Sequence, residues 1–320
     1  MTAAPSLPPA FLDRLRAVVP PDRLEDVLAS FGAPRAVGFR VNTLRAAPAA
    51  VVAELEAVGL HPQGAEGLAA GFWVPAEERA ALLATDAHAA GRLYVQDLAS
   101  QIPPLLLDPQ PGERVLDLCA APGSKTRQMA CLMRDEGEIA AVERVRGRHY
   151  KLRANLAAQG ATIVRTYHRD GTTAWRHRPE HFDRVLVDAP CSTEGRFRTD
   201  DPDTTRYWSP KKPKEMAGKQ GRLLFSGIQA LRPGGTLVYA TCTFAPEENE
   251  GVLSRLLTRF EGGVETVPVE LPPVCTPQAP LAEWRRKPFA PGVRHARRLL
   301  PNALMEGFFV AKLVKRTSTL

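Results

Sequence analysis

The sequence predicts an α/β protein with a doubly wound, largely parallel sheet and a small separate α/β domain at its N-terminus. Two observations carry this prediction. From Arg114 onward, short apolar runs alternate with amphipathic helical segments, which is the pattern of parallel strands joined by crossover helices. Before about residue 95 the alternation is different and the elements are fewer. We therefore divide the chain into residues 1–95 and 96–320.

The N-terminal segment contains amphipathic helical patterns around one strand-like run. Phe11, Leu15 and Val18 have helical spacing, and Pro20-Pro21 separates them from a second helical pattern. The predicted helices cover 11–18, 24–31 and 51–58, and the predicted strand covers 37–42. Residues 91–111 are expected to connect this module to the rest of the chain.

The second segment alternates strands and helices in the order that a doubly wound sheet requires. The predicted strands are 115–118, 139–142, 162–164, 184–187, 236–240, 264–269 and 307–311. The predicted helices are 124–133, 146–159, 214–231 and 247–260. Residues 272–291 are rich in proline and are expected to form a loop.

Composition excludes several classes of protein. Hydrophobic residues make up 44% of the 320 residues, which indicates a globular chain. No apolar run is long enough to span a membrane, and residues 1–5 show no secretory signal. The five cysteines form no Cys-x-x-Cys pair, which argues against disulfides and metal sites. We expect a cytoplasmic protein without a metal.

Positive charge is concentrated in two stretches. Residues 281–320 hold nine Lys or Arg against two acids, and this difference of seven equals the formal net charge of +7. A second stretch, 196–222, holds eight Lys or Arg against four acids. A solvated basic surface would explain such segments, but their concentration favours contacts with a phosphate backbone.

The first strand of the sheet leads into a ligand loop. Asp117-x-x-x-Ala121-x-Gly123 fits neither the phosphate-loop pattern nor the three-glycine dinucleotide pattern. It resembles instead the loop of Rossmann-like methyltransferases that bind S-adenosylmethionine. Glu143, at the end of the second strand, is placed to bind ribose hydroxyls.

Two cysteines follow two strands of the predicted sheet. Cys191 lies in Asp188-Ala189-Pro190-Cys191, and Cys242 follows the strand at 236–240. Either alone would be an ordinary buried cysteine, but parallel strands bring residues after their carboxyl ends to one edge. A thiolate that adds to C6 of a pyrimidine makes C5 nucleophilic. Asp188 is placed to protonate or hydrogen-bond N3 of the pyrimidine. A second thiol near the first could act as the base that takes the C5 proton or assist release of the first thiol.

These segments together resemble the NOL1/NOP2/Sun family of RNA cytosine-5 methyltransferases, and within it the bacterial ribosomal RNA enzymes of the RsmF type. The resemblance covers about residues 7–315. The matching segments are 39–44, 94–100, 117–126, 188–195, 241–250 and 306–309. It implies a Rossmann-like, S-adenosylmethionine-dependent methyltransferase sheet and an RNA-binding N-terminal module.

The resemblance also implies residue roles that the spacing leaves open. In the family, the cysteine at the position of Cys242 is the nucleophile and the one at Cys191 aids release, whereas DNA cytosine methyltransferases attack with the Pro-Cys thiol. The resemblance also implies that Asp170 and Asp188 contact the cofactor. The full set of implied contacts with S-adenosyl-L-methionine is Cys119, Ala120, Ala121, Pro122, Gly123, Ser124, Lys125, Glu143, Asp170 and Asp188.

The expected partner is RNA, ribosomal RNA first, bound by a monomer. Transfer RNA, DNA, or a non-catalytic role in ribosome assembly are the alternatives. RsmF-type enzymes commonly carry an RNA-binding extension after the methyltransferase core, and this sequence ends at Leu320. We therefore expect the basic residues 285–298 or a partner to supply those RNA contacts.

Overall fold

The computed structural model describes residues 7–320. The absence of a secretory signal, expected from residues 1–5, concerns residues outside this range. The α-helices are α1 (Pro9–Val18), α2 (Pro21–Ser30), α3 (Pro48–Ala57), α4 (Arg79–Leu83), α5 (Asp86–Ala89), α6 (Leu98–Leu107), α7 (Ser124–Leu132), α8 (Arg146–Gln159), α9 (Lys212–Ala230) and α10 (Glu250–Arg259). No helix among the described residues is long and apolar enough to span a membrane.

A small antiparallel sheet forms in the N-terminal part. Its strands are β1 (Val37–Val41), β2 (Gln63–Gly64), β3 (Gly71–Val74) and β4 (Leu93–Val95), in the order β2-β3-β1-β4. The predicted strand 37–42 corresponds to β1, which lies between β3 and β4. The segment expected to be a connection, 91–111, is instead built into both parts: β4 pairs with β1, and α6 packs on the large sheet through Leu98 and Ile102.

A nine-stranded mixed sheet forms the rest of the protein. Its strands are β5 (Arg114–Asp117), β6 (Glu138–Glu143), β7 (Val164–His168), β8 (Phe182–Asp188), β9 (Leu231–Thr241), β10 (Val264–Val267), β11 (Thr276–Gln278), β14 (Arg297–Leu300) and β15 (Phe308–Lys315). The order is β11-β14-β15-β9-β8-β5-β6-β7, with β10 also paired to β15. Strands β5 to β9 run parallel, and the others pair antiparallel.

Helices cover both faces of this sheet, as a doubly wound fold requires. On one face, Leu224 of α9 and Leu253 of α10 pack with Val185 and Leu237. On the other, Ile102 of α6 and Met129 of α7 pack with Leu186 and Val238. The alternation along β8 and β9 sends successive side chains to opposite faces. Both faces are apolar, which explains the continuous hydrophobic runs in the sequence.

Beyond shifts in where other elements begin and end, two predictions for the second segment differ from the observed structure, and one strand there was not predicted. The third strand is Val164–His168 rather than 162–164, because β7 is an edge strand whose polar side chains are partly exposed and do not mark it as apolar. Residues 272–291 are not simply a loop, since they contain β11 and the hairpin of β12 (Glu283–Trp284) and β13 (Lys287–Pro288). Strand β14 was not predicted because it begins with two arginines.

The basic C-terminal stretch is partly internal. Arg298 forms a buried ion pair with Glu250, Nη2 to Oε2 2.5 Å. Lys315 is fully buried, donates to the carbonyl oxygens of Ile228 and Leu231 at 2.9 Å, and pairs with Glu180. These two cations hold the sheet and its helices together, so the phosphate contacts expected of this stretch must come from its exposed members.

Helices α1 and α2 pack against loops of the large sheet rather than against the small one. Phe11 of α1 meets the ring of Phe197 edge-to-face at 4.8 Å and that of Phe31 at 5.7 Å. Phe244, two residues after Cys242, joins the same cluster. An aromatic cluster therefore supports the loop that carries Cys242.

Candidate active site

A cavity of about 430 Å³ opens at the carboxyl ends of β5, β6, β8 and β9. These strands are neighbours in the order β9-β8-β5-β6, so the residues that follow them meet at one edge. Every site residue predicted from the sequence lines the cavity except Gly123: Cys119, Ala120, Ala121, Pro122, Ser124, Lys125, Glu143, Asp170, Asp188, Cys191 and Cys242.

Gly123 shapes the loop without lining the cavity. Its φ of 106° lies in the left-handed region that glycine tolerates. A Cβ there would also stand 3.0 Å from Leu152 of α8. Its amide donates to the carbonyl of Ala120 at 2.7 Å, which closes the turn before α7. The N-terminus of α7 is thereby aimed at the cavity, where Ser124 and Lys125 contribute lining.

The two predicted thiols lie in direct contact. Cys191 Sγ and Cys242 Sγ are 3.3 Å apart. The register of β8 and β9 accounts for this, since Asp188 pairs with Ala240 and each cysteine follows by two or three residues. The hydrogen bond with Cys242, together with burial, raises the pKa of Cys191 well above its ordinary value. Cys191 therefore remains a thiol at neutral pH and can donate to the other sulfur.

Lys125 and Asp188 form an ion pair beside the thiols. Lys125 Nζ lies 2.7 Å from Asp188 Oδ2 and 2.7 Å from Ser100 Oγ. Burial lowers the pKa of Lys125, but the charge of Asp188 and the hydrogen bond to it outweigh burial, so the net pKa is raised. The ammonium thus stays charged and keeps one N–H beyond the two that these partners accept. Sequence reasoning assigned both residues but did not connect them.

The carboxylates of Glu143 and Asp170 each keep one oxygen available to a ligand. Glu143 Oε1 accepts from the amide of Val145 at 2.7 Å, while Oε2 has only an ion pair with Arg148 at 3.7 Å. Asp170 Oδ1 accepts from the amide and hydroxyl of Thr172, and Oδ2 lies 3.6 Å from Arg144. Burial raises the pKa of Asp170, but the Thr172 hydrogen bonds and Arg144 lower it to a net value below the ordinary one.

A buried hydrogen-bond network behind the thiols escaped sequence reasoning. Glu248 accepts from the amide and hydroxyl of Ser192 and, at 2.7 Å, from Gln220 Nε2. Ser192 Oγ also contacts Thr243 Oγ1 at 2.7 Å, and Thr243 reaches Glu194 at 2.9 Å. The chain thus links the residue after Cys191 to the residue after Cys242. Glu194 and Glu248 lie in segments 188–195 and 241–250, which resemble the family. That resemblance is the sequence signal that could have identified them.

A second unpredicted pair lines the cavity. Arg196 Nε lies 3.0 Å from Glu306 Oε2. Burial and the nearby Asp97 raise the pKa of Glu306 to about 7, although Arg196 opposes this. The charge of Glu306 raises the pKa of Arg196, so a permanent cation lines the cavity. Among residues 7–320, no group of three His, Cys, Asp or Glu is arranged to hold a metal ion.

Comparison with known proteins agrees with this geometry. Residues 104–314 match the family model described as 16S rRNA methyltransferase RsmB/F. The chain belongs to the RsmB/F family. Residues 7–98 match the model for the N-terminal domain of 16S rRNA methyltransferase RsmF. The fold and the family resemblance predicted from the sequence are therefore confirmed.

Individual relatives of this RsmB/F family member cover nearly the whole chain. It is 38% identical over 318 residues to ribosomal RNA small subunit methyltransferase F of Cronobacter sakazakii, and 36% identical over 317 residues to that of Serratia proteamaculans. Each alignment covers 98% of this chain and 64% of the relative. The chain thus spans just under two thirds of the length of these relatives.

Solved structures share the fold across both parts of the chain. A methyltransferase homolog protein from Pyrococcus horikoshii has a TM-score of 0.80 and 31% identity, with 97% of this chain and all of that chain covered. NSun6 from Pyrococcus horikoshii, solved with SFG, has a TM-score of 0.81 at 20% identity, covering 96% of this chain and 98% of its own. The latter likeness shows the fold alone.

Proposed function

We propose that the chain is an S-adenosylmethionine-dependent RNA methyltransferase that modifies C5 of a cytosine in ribosomal RNA. The observation that carries the proposal is the contact between Cys191 and Cys242, 3.3 Å apart beside the Lys125–Asp188 pair. Buried cysteines that only fill space do not require a charged pair and a cavity next to them. Membership in the RsmB/F family supports ribosomal RNA as the substrate class.

The cavity fits S-adenosylmethionine chemically. The free oxygens of Glu143 and Asp170 are acceptors, which suits ribose hydroxyls and an adenine amino group. The N-terminus of α7 offers backbone N–H groups and partial positive charge to a carboxylate. When bound, the cofactor supplies an electrophilic methyl group and a positive charge next to the thiols.

The residues of the chain divide the reaction between them. The thiolate of Cys242 bonds to C6, and the electron pair moves to C5, which then takes the methyl group. In this proposal the Lys125–Asp188 pair stabilises charge at the N3 side of the ring, with the Lys125 ammonium as the hydrogen-bond donor. After a base removes the C5 proton, the electron pair restores the C5–C6 double bond and expels Cys242. The thiol of Cys191 donates a hydrogen bond to the departing sulfur.

The remaining parts of the proposal concern the whole protein. Residues 1–95 form the RNA-binding module and residues 96–320 the methyltransferase domain. The enzyme acts in the cytoplasm as a monomer. Because the target C6 must be approached from above the ring, the cytosine is flipped out of its stack on binding.

The proposed reaction is tested by incubating the enzyme and cofactor with small-subunit ribosomal RNA and, separately, with transfer RNA. Mass spectrometry should detect 5-methylcytidine in the ribosomal RNA, and Cys242→Ala should abolish it. Cys131→Ala is the matched control, since Cys131 lies outside the cavity. Persistence of 5-methylcytidine in Cys242→Ala would refute the nucleophile, and modification of transfer RNA alone would refute the substrate.

The proposed role of Cys191 has its own test. Without its thiol, expulsion of Cys242 slows, so Cys191→Ala should accumulate a covalent protein–RNA adduct. The adduct is measured as a band that survives denaturing electrophoresis and disappears in the Cys191→Ala/Cys242→Ala double variant. If Cys191→Ala turns over at the wild-type rate without an adduct, the release role is wrong.

A further inference from the structure

A second large cleft lies on the other side of α9 from the cavity. It has a volume of about 1400 Å³ and is bounded by α9, α10, the 3₁₀ segment Gly171–His177 and the β12–β13 hairpin. We call it the basic groove. We propose that the basic groove binds the phosphate backbone of RNA that flanks the target nucleotide; this rests on the proposed function in taking RNA as the substrate.

The cations of the groove carry the proposal. Eight exposed Lys and Arg side chains line it and have no ion pair or hydrogen-bond acceptor among residues 7–320. They are Arg176, Lys211, Lys214, Arg222, Arg255, Arg259, Arg285 and Lys287. The acids on its walls are already paired with cations, Glu215 with Lys212 and Glu247 with Arg14, which also lines the groove. A concave surface of one sign with unpartnered donors attracts a polyanion.

These cations come from distant parts of the sequence. Lys211, Lys214 and Arg222 belong to the basic stretch at 196–222, and Arg285 and Lys287 to the C-terminal stretch. Arg255 and Arg259, one turn apart on α10, join them although neither stretch includes them. Folding therefore collects separate charges on one surface, as expected of a binding site rather than of scattered solubilising residues.

Aromatic rings between the cations favour a nucleic acid over a simple anion. Trp175, Phe225, Trp284 and Phe289 line the groove and are half-buried. The guanidinium of Arg259 lies 4.4 Å from the centroid of the Phe225 ring, so a cation and an aromatic ring already lie together in the groove. Unpaired bases stack on such aromatic and guanidinium planes while the backbone follows the charges.

The position of the groove relates it to the cavity. Lys219 and Leu223 of α9 line the cavity, whereas Lys214, Gly218 and Arg222, spaced four residues apart, line the groove. The 3₁₀ segment Gly171–His177 also borders both the cavity and the groove, since Gly171 lines the cavity and Thr172 lines the groove. A strand whose cytosine enters the cavity therefore meets the groove on the far side of a single helix.

The test measures RNA binding directly, so that it does not depend on methylation. The full chain is titrated against fluorescein-labelled oligouridine of about 20 nucleotides at several salt concentrations. The variant Lys214→Gln/Arg222→Gln/Arg255→Gln/Arg259→Gln should bind on the order of tenfold more weakly. The log–log slope of its affinity against salt should be shallower by ~0.7 for each phosphate that the variant leaves unneutralised.

The control removes the same charge elsewhere. Arg79→Gln/Arg134→Gln/Lys151→Gln/Arg153→Gln neutralises four exposed cations that lie outside the groove, and it should keep affinity and slope within about twofold. Equal losses in both variants, or wild-type binding by the groove variant, would overturn the proposal. So would equally tight, groove-dependent binding of polyglutamate, which would indicate an acidic protein partner.

The outcome separates this proposal from the proposed function. If wild-type enzyme forms 5-methylcytidine while the groove variant binds normally, only the groove proposal fails. If the groove variant loses RNA affinity but no RNA is methylated by wild-type enzyme, the groove stands and the reaction fails. Unchanged thermal stability of both variants ensures that the comparison concerns the folded protein.

Discussion

At the residue scale, Glu248 ties the Cys191 loop to α9. It is fully buried, and two of its donors, the Ser192 amide and Gln220 Nε2, converge on the same carboxylate oxygen. Burial raises the pKa of Glu248 to about 7, although these hydrogen bonds lower it. The raised pKa favours the protonated form, which can donate to Ser192 Oγ if the hydroxyls of Ser192 and Thr243 rotate toward Glu194.

This reversible chain predicts different effects of two substitutions. Glu248→Gln mimics the protonated carboxyl and should change the free energy of unfolding by less than about 1 kcal/mol. Glu248→Ala leaves the Ser192 amide and one N–H of Gln220 unpaired in the interior, since Gln220 Nε2 keeps only its bond to the Pro190 carbonyl, and should destabilise by about 1–3 kcal/mol. It should also slow methyl transfer, because Ser192 is next to Cys191. Chemical denaturation measures the free energy of unfolding of each variant. Equal stabilities for the two variants would contradict the hydrogen-bond account.

At the element scale, close backbone contact holds the two thiol loops in register. The amide of Gly195 donates to the carbonyl of Cys242 at 3.0 Å, and the amide of Gly307 donates to the carbonyl of Gly195 at 3.2 Å. Three segments, the loops after β8 and β9 and the start of β15, therefore meet at Gly195. A Cβ there would stand well under 3.0 Å from the Gly307 carbonyl oxygen.

Gly195→Ala should therefore separate these segments. Since the obstructing atom is backbone and cannot rotate away, we expect both a lower melting temperature and a loss of methylation at saturating cofactor. Gly147→Ala is the control, because a Cβ at Gly147 on α8 meets nothing within 4 Å. That substitution should stabilise the helix by about 0.5–1 kcal/mol and leave activity intact. Full activity in Gly195→Ala would show that the contact is not needed.

At the scale of the whole molecule, folding buries carboxyl groups around the cavity from three separate segments. Burial raises the pKa of Asp117, of Glu248 and of Glu306 to about 7 in each case. Between the ordinary carboxyl pKa near 4 and pH 7, the unfolded chain binds fewer protons than the folded chain. These groups therefore lower the free energy of unfolding as pH rises through that window.

Asp117→Asn should remove part of this slope. Each such group contributes at most about 1.4 kcal/mol per pH unit, and the amide can still accept from the Cys119 amide, as Asp117 does at 3.3 Å. Denaturant titrations from pH 5 to pH 7 should thus show a smaller decline for Asp117→Asn than for wild type. Glu56→Gln, at an exposed position on α3, should leave the decline unchanged. An unchanged slope in Asp117→Asn would refute the contribution of that carboxyl.

Particular residues show how far prediction from sequence extends. The helix at 146–159 was predicted with its observed bounds; it buries Leu152, Leu156 and Gln159, and Gly160 follows its last residue in the left-handed conformation, so what defines it lies within a few turns of the chain. Strand β7 was misplaced, because its position at the edge of the sheet depends on the other strands. Strand β14 was missed, because burial of Arg298 depends on its ion pair with Glu250, far along the chain. The domain division at residue 95 and the roles of the individual site residues remain predictions.

By itself, the sequence determined the α/β class, the ligand loop and the two thiol motifs, because periodicity, turn residues and short motifs act over a few positions. Only the tertiary structure decided which groups meet. It joined Lys125 to Asp188, placed Glu194 and Glu248 behind the thiols, and brought the cations of the basic groove together from four separate segments. The physical reason is that contact distance and burial depend on how strands pair and helices pack, and no local pattern in the chain encodes those distances.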